Sequence, residues 1–184
     1  MPITPLSLTL LFAIQTPSTV IAPPPTATQA QLHEDALKLV EVSGLRATIE
    51  TTLSSSFATG AKAMMERCKE CAPEFAEEWQ KRMKQRSNVD DYLNVYVRTY
   101  EKYLDDAEMK ELIAIQQSQK TAQPQLPSEA LKTKLAPQMT QIMSETMGGC
   151  AQVGAKLGGD IALEISKEHP EWMKKSADAP SNPH

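Results

Sequence analysis

The chain has 184 residues and a formal net charge of −4 at pH 7, with all of its charged residues after position 33 and six of its 13 prolines before it. This mildly acidic balance argues against a nucleic-acid-binding protein, which needs a basic face to displace the counterions of phosphate. No apolar run reaches about 18 residues, so we expect no membrane-spanning helix after processing. An uncharged leader therefore precedes a charged body of single-domain size.

The leader, residues 1–30, has the pattern of an export signal. The run Leu6–Ile14 has the length of a signal-peptide core and is too short for an anchor. Thr28–Ala30 is the better cleavage site, because Pro23 would follow a cut after Ala22. The signal is atypical, since no Lys or Arg precedes Leu6. We predict export to the periplasm or the exterior; the alternative is a disordered proline-rich arm.

The body, residues 31–173, is predicted to be all-α, a compact single-domain bundle of about six or seven helices. No segment alternates apolar and polar residues for the length of a strand, and straight-chain helix formers dominate. A first helix ends at Ser43–Gly44, and a second runs from about Leu45 to Arg67. Pro73 is typical of the first turn of a third helix, which carries Phe75 and Trp79.

Capping residues and prolines divide the second half of the body. Asn88 or Ser87 caps a fourth helix, Val89 to Leu104, and Asp105 with Glu108 forms a capping box for a fifth. After a loop with two prolines, Ser128 caps a further helix in which Pro137 produces a kink or a new start. The last helix ends near His169, and residues 174–184 are predicted to be a disordered tail. One buried stripe is predicted on this last region, at Leu135, Met139, Ile142, Cys150, Val153, Leu157, Ile161 and Ile165.

The stretch Tyr100–Ser118 resembles the signature of an exported family, the domain of unknown function 2059: an aromatic residue, a helix end, an acidic cap, Glu-Leu, then apolar residues before a serine. Residues Ala36–Leu45 are similar to the opening helix of that family, and Pro137–Met139 to the start of its last helix. The resemblance covers most of residues 34–165. It implies an exported all-α domain and supplies no catalytic residue.

Three cysteines, Cys68, Cys71 and Cys150, favour a structural disulfide in an oxidising compartment, either within the Cys68–Cys71 motif or from one of its members to Cys150. A bridge to Cys150 would tie the second helix to the last. The alternative is thiol-dependent redox or metal chemistry. Haem attachment is excluded, because Ala72 stands where a histidine would be needed.

The tyrosines form one helical stripe, at Tyr92, Tyr96, Tyr100 and Tyr103. Such a stripe is usually the rim of a helix–helix contact with its hydroxyl tips in water. The alternative is a row of rings that lines a groove for a ligand or a partner.

Met139, Met143 and Met147 are spaced by four residues, with Cys150 beyond them. Soft sulfur ligands on one helical face suit Cu(I), but methionine is more often a flexible filler of helical cores, and we expect the latter.

Five of the seven glycines lie between residues 148 and 159, with no nucleotide-binding pattern among them. We expect Gly154 and Gly158 to allow another helix backbone to approach closely.

No catalytic set is assembled by spacing, because histidine occurs only at His33, His169 and His184. We therefore expect a non-enzymatic exported domain, without cofactor or bound metal, that interacts with an unknown protein partner or a small apolar ligand. The alternatives are a redox or metal-handling protein built on the three cysteines and a carrier of a small apolar ligand.

Overall fold

The computed structural model describes residues 28–119 and 121–173, so most of the predicted leader and the predicted tail lie outside the described residues. The described residues form six α-helices, followed by a short 3-10 helix at Pro170–Met173. The helices are α1 Gln29–Val42, α2 Leu45–Arg67, α3 Pro73–Arg86, α4 Val89–Tyr103, α5 Asp106–Ser118 and α6 Glu129–Glu168. This single all-α body confirms the predicted fold class. None of the described helices is long and apolar enough to cross a bilayer.

Side-chain caps fix where the helices begin. Asn88 accepts a hydrogen bond from the amide of Asp90, and Asp105 and Glu108 form the reciprocal capping box. Ser128 caps α6 as predicted. The Thr28 hydroxyl also accepts from the Gln31 amide, so α1 begins at Gln29, two residues before the predicted start of the body.

Pro137 neither ends nor begins a helix, because it lies inside α6, which has 40 residues and continues to Glu168. Proline removes one backbone N–H and leaves the carbonyl of Thr133 without its helical partner. Both residues are exposed, so water can satisfy that carbonyl. Of the two alternatives predicted at Pro137, a kink or a new helix start, the new start is therefore wrong.

Two clusters of buried side chains form the core, and α6 borders both. The first lies between α1, α4 and α5, with Ala36, Val97 and Met109 fully enclosed. The second lies between α2, α3 and the last part of α6, around Trp79 and Ile161. The first half of α6 lies against the first cluster and contributes only partly buried residues to it. This arrangement leaves room for a groove along that half of α6.

The glycine-rich part of α6 accommodates side chains of α3 and α4. A Cβ atom added at Gly158 would lie 3.0 Å from the Trp79 ring, and one added at Gly154 would lie 3.5 Å from the Tyr92 hydroxyl. A Cβ atom at Gly149 would lie 2.5 Å from Val95. The neighbours of Gly154 and Gly158 are thus side chains, where the small-residue spacing had suggested another backbone. Trp79 and Val95 need the missing Cβ volume at Gly158 and Gly149, whereas a Cβ atom at Gly154 would make an ordinary contact.

Candidate functional site

An apolar groove of about 360 Å³ opens between α6 and the helices α1, α4 and α5. Tyr96 and Tyr100 of α4 line it together with the methionine row, Met139, Met143 and Met147 of α6. Two buried leucines, Leu39 of α1 and Leu104 directly after α4, form its interior. We call this feature the Tyr–Met groove.

Few polar side chains line the Tyr–Met groove, and two of them already donate to their own helix. The hydroxyls of Ser43 and Thr146 donate to the carbonyl oxygens of Leu39 and Ile142. The amide of Gln116 is the remaining polar group among the lining residues besides the tyrosine hydroxyls. The groove is therefore an apolar surface with a few polar points, which is the usual composition of a small-ligand site.

The rings of Tyr96 and Tyr100 form an edge-to-face pair, with centroids 6.3 Å apart and an interplanar angle of 66°. Burial raises the pKa of both hydroxyls, and the thiolate that Cys150 forms at alkaline pH adds to the effect at Tyr96. Neither hydroxyl has a hydrogen-bond partner among the described residues. Both therefore stay protonated at neutral pH and can donate to a ligand.

The other two tyrosines of the predicted stripe lie elsewhere. Tyr92 is buried, and its hydroxyl has neither water contact nor a protein partner. The Tyr103 hydroxyl donates to Glu145 of α6 at 2.6 Å, and burial together with that carboxylate raises its pKa. The expectation that the hydroxyl tips reach water is thus wrong for Tyr92. The structure brings only Tyr96 and Tyr100 together at the groove.

The methionine row lies on the surface. The exposed fractions of Met139, Met143 and Met147 are 45%, 56% and 69%. Met139 is therefore not part of the buried stripe predicted for α6, whereas Ile161 and Ile165 are fully buried. The difference has a physical reason: the groove beside the first half of α6 is open, so these side chains border a space that no core residue fills.

The sulfur atoms of Cys68 and Cys71 lie at disulfide distance, 2.04 Å apart, and Cys150 is a free thiol. The bridge to Cys150 is not formed. Cys68 and Cys71 line a second cleft with Ala162, which lies twelve residues beyond Cys150 on α6. Twelve residues of helix extend for about 18 Å, far more than the separation of about 7 Å that a disulfide allows between Cα atoms.

The surroundings of the cysteines favour a structural disulfide. A reactive thiolate is usually accessible and lies at the start of a helix. Here the more accessible Cys68 is the C-terminal cap of α2, and Cys71, which precedes the start of α3, is buried. Burial also raises the pKa of the Cys150 thiol, so that thiol is protonated at neutral pH.

The second cleft, which we call the disulfide cleft, has a volume of about 660 Å³ and lies between α2, α3 and the end of α6. Met64, Leu163 and Met173 line it. No tyrosine hydroxyl reaches it, and its lining offers few polar groups to orient a ligand. We therefore treat it as a comparison site for the Tyr–Met groove.

A third cleft, also of about 660 Å³, lies on the other side of the α4–α6 contact. Charges of both signs line it, including Arg98, Lys156, Asp91 and Asp160. These side chains are exposed, which is typical of a solvated seam between helices. We do not place the candidate site there.

No group of three or more His, Cys, Asp or Glu side chains is placed to hold a metal ion within the described parts of the chain. His33 pairs with Glu101 at 2.6 Å, and the ring of His169 stacks on Trp172. His184 lies outside the described residues. Neither described histidine lines the Tyr–Met groove.

A groove beside the tyrosine stripe is one of the alternatives that the sequence offers, but its methionine side is not predicted, because the two sides come from helices far apart in the chain. The tyrosine and methionine rows were both visible, but periodicity does not say which rows face each other. No protein-family model matches the chain, and no curated protein or solved structure is significantly similar to it. The resemblance to the domain of unknown function 2059 stays a prediction.

Proposed function

We propose that this chain is a non-enzymatic helical domain that holds a small apolar molecule in the Tyr–Met groove. The observation that carries the proposal is the groove itself, whose volume of about 360 Å³ falls within the range of small-molecule sites. Burial of apolar ligand surface would supply the affinity, at about 0.8 kcal/mol for each buried methylene. The tyrosine side and the methionine side of the groove each offer a defined chemical group.

The lining residues indicate the ligand class. Tyr96 and Tyr100 offer ring surface and two unpartnered hydroxyl donors, and the methionine row offers flexible thioethers that adapt to irregular shapes. A ligand that fits these groups has an apolar body and one hydrogen-bond acceptor, such as an ester or a carboxyl group. An apolar side chain of a protein partner presents similar chemistry, and the experiment below separates the two.

We also propose that the domain is exported. The uncharged leader supports export, and the Cys68–Cys71 pairing is consistent with an oxidising compartment. N-terminal sequencing of protein from the periplasm or the medium should give Gln31 as the first residue. An intact Met1 on protein purified from the cytosol would contradict export.

Redox chemistry at the cysteines is the less favoured alternative, because the accessible sulfur is at the wrong end of a helix for thiolate stabilisation. A reduction assay with insulin as substrate tests this alternative separately. We expect no turnover above that of free dithiothreitol.

The experiment for the groove compares two substitutions on α6 at similar exposure. Met143 is 56% exposed in the groove, and Leu163 is 57% exposed at the disulfide cleft. N-phenyl-1-naphthylamine, an uncharged fluorescent probe, should bind the unmodified chain and lose binding in Met143→Glu but not in Leu163→Glu. Absence of probe binding, or loss only in Leu163→Glu, would contradict the proposal. Probe binding only together with a copurifying protein would indicate a protein partner.

A further inference from the structure

The methionine row places three sulfur atoms on one exposed helical face. Met139, Met143 and Met147 are spaced by four residues, so neighbouring side chains of the row lie about 6 Å apart at their Cβ atoms. Methionine side chains are long and flexible, and neighbours on such a row can bring their sulfurs together. The exposure of all three side chains removes the explanation that they fill the core.

Apolar binding alone does not require methionine at these positions. Leucine has similar volume and apolar surface and better-defined rotamers, and α6 uses it at Leu131 and Leu135 on the preceding turns. What methionine adds is a soft, polarisable thioether. Thioethers at three positions, four residues apart on one exposed face, therefore offer ligands to a soft cation in addition to apolar surface.

We propose that Met139, Met143 and Met147 form a binding site for Cu(I). Thioethers select soft monovalent cations, whereas Zn²⁺ prefers thiolate, imidazole or carboxylate ligands and Mg²⁺ prefers oxygen. No acidic side chain lines this groove to attract a hard cation. The rings of Tyr96 and Tyr100 line the same groove and offer π-faces that are attracted to a bound cation.

The site is distinct from the cysteines. Cys68 and Cys71 are paired with each other and lie at the disulfide cleft. Cys150 follows Met147 by three residues but does not line the groove. Because a thioether has no proton to lose, Cu(I) binding by the methionine row should be nearly independent of pH, whereas binding to thiol or imidazole weakens in acid.

The test is a competition between the protein, with its disulfide intact, and the Cu(I) chelator bicinchoninate under nitrogen. The unmodified chain should withdraw Cu(I) from the chelator equally well at pH 5.5 and pH 7.5. The triple variant Met139→Leu, Met143→Leu, Met147→Leu should lose this ability. Two control variants, Cys150→Ser and Met64→Leu, should keep it.

Three results would overturn the copper site: no competition by the unmodified chain, unchanged competition by the triple leucine variant, or loss of competition in Cys150→Ser. The copper site does not rest on the proposed apolar ligand. Leucine preserves the apolar surface, so the triple variant should still bind N-phenyl-1-naphthylamine. A variant that binds the probe but not Cu(I) is folded, which separates the two outcomes.

Discussion

The indole nitrogen of Trp79 on α3 donates a hydrogen bond of 2.9 Å to the carbonyl oxygen of Gly158 on α6. The same ring lies between two glycines, since a Cβ atom at Gly60 or at Gly158 would each lie 3.0 Å from it. Trp79 therefore connects α2, α3 and α6 through one close-packed contact. This contact joins α2 and α3 to the last part of α6 within the second core cluster.

Adding a methyl group at Gly158 should destabilise the protein. Because Trp79 is confined by Gly60 on its other side, the ring cannot move away, and overpacking of this kind costs about 1–3 kcal/mol. Gly159 is the matched control, since nothing lies within 4 Å of a Cβ atom there. Urea unfolding should show a loss for Gly158→Ala and a gain of up to about 1 kcal/mol for Gly159→Ala. Equal effects at the two positions would contradict the close contact.

Two substitutions at Trp79 should distinguish the contribution of its hydrogen bond to stability from the contribution of its packing. Trp79→Phe keeps most of the ring and loses the donor, which should cost about 1–2 kcal/mol, including some loss of fit. Trp79→Ala leaves a cavity and should cost about 3–5 kcal/mol. The free energy of unfolding in urea measures both changes. Similar losses for the two variants would show that the ring volume contributes little.

Thiol counting should find one free cysteine in the folded protein. Mass spectrometry after alkylation in denaturant without reductant should show one modified cysteine, Cys150, and three after reduction. The disulfide closes a loop of only about four residues, so its removal in a Cys68→Ser, Cys71→Ser double variant should cost only about 2 kcal/mol. A modified Cys68 or Cys71 in unreduced protein would contradict the pairing.

Stability should depend on the charge of Asp35, which lies at the contact between α1 and α5. Burial raises its pKa, a hydrogen bond with Asp106 raises it further, and Gln31 and Lys110 only partly offset this. The folded state therefore holds the proton more tightly than the unfolded state, and the contribution of Asp35 to stability is lost as pH rises from about 3.9 through the folded pKa.

Asp35→Asn removes this titration and can still donate a hydrogen bond to Asp106. Urea unfolding gives the free energy of unfolding of the variant minus that of the unmodified chain. This difference should be larger, in favour of the variant, at pH 7 than at pH 3.5. A variant that is equally destabilised at both pH values would show that Asp35 contributes through its shape and not its charge.

Much of the fold follows from local chemistry in the sequence. The caps at Asn88, Asp105 and Ser128 and the break at Gly44, which has a φ of +68°, fix the helix boundaries. Local rules fail at Pro137, because an exposed carbonyl tolerates the lost hydrogen bond and the helix continues. Local rules also do not predict where the Tyr–Met groove lies.

The groove depends on which faces of distant helices meet. Periodicity predicts that Met139 belongs to a buried stripe, since the sequence pattern of an amphipathic turn is the same whether or not a neighbouring helix covers it. Whether this face of α6 is buried depends on α1 and α5. These two helices pack against each other and leave the methionine side of α6 exposed. The tyrosine row and the methionine row are therefore both visible in the sequence, but the fact that they face each other is not.

The most direct test of ligand binding in the Tyr–Met groove is an NMR titration of protein labelled with ¹³C at the methionine methyl groups, with N-phenyl-1-naphthylamine as the ligand. The methyl signals of Met139, Met143 and Met147 should shift in proportion to occupancy. Those of the buried Met83 and Met109 should stay in place. Shifts confined to Met64 and Met173, which line the disulfide cleft, would contradict the account.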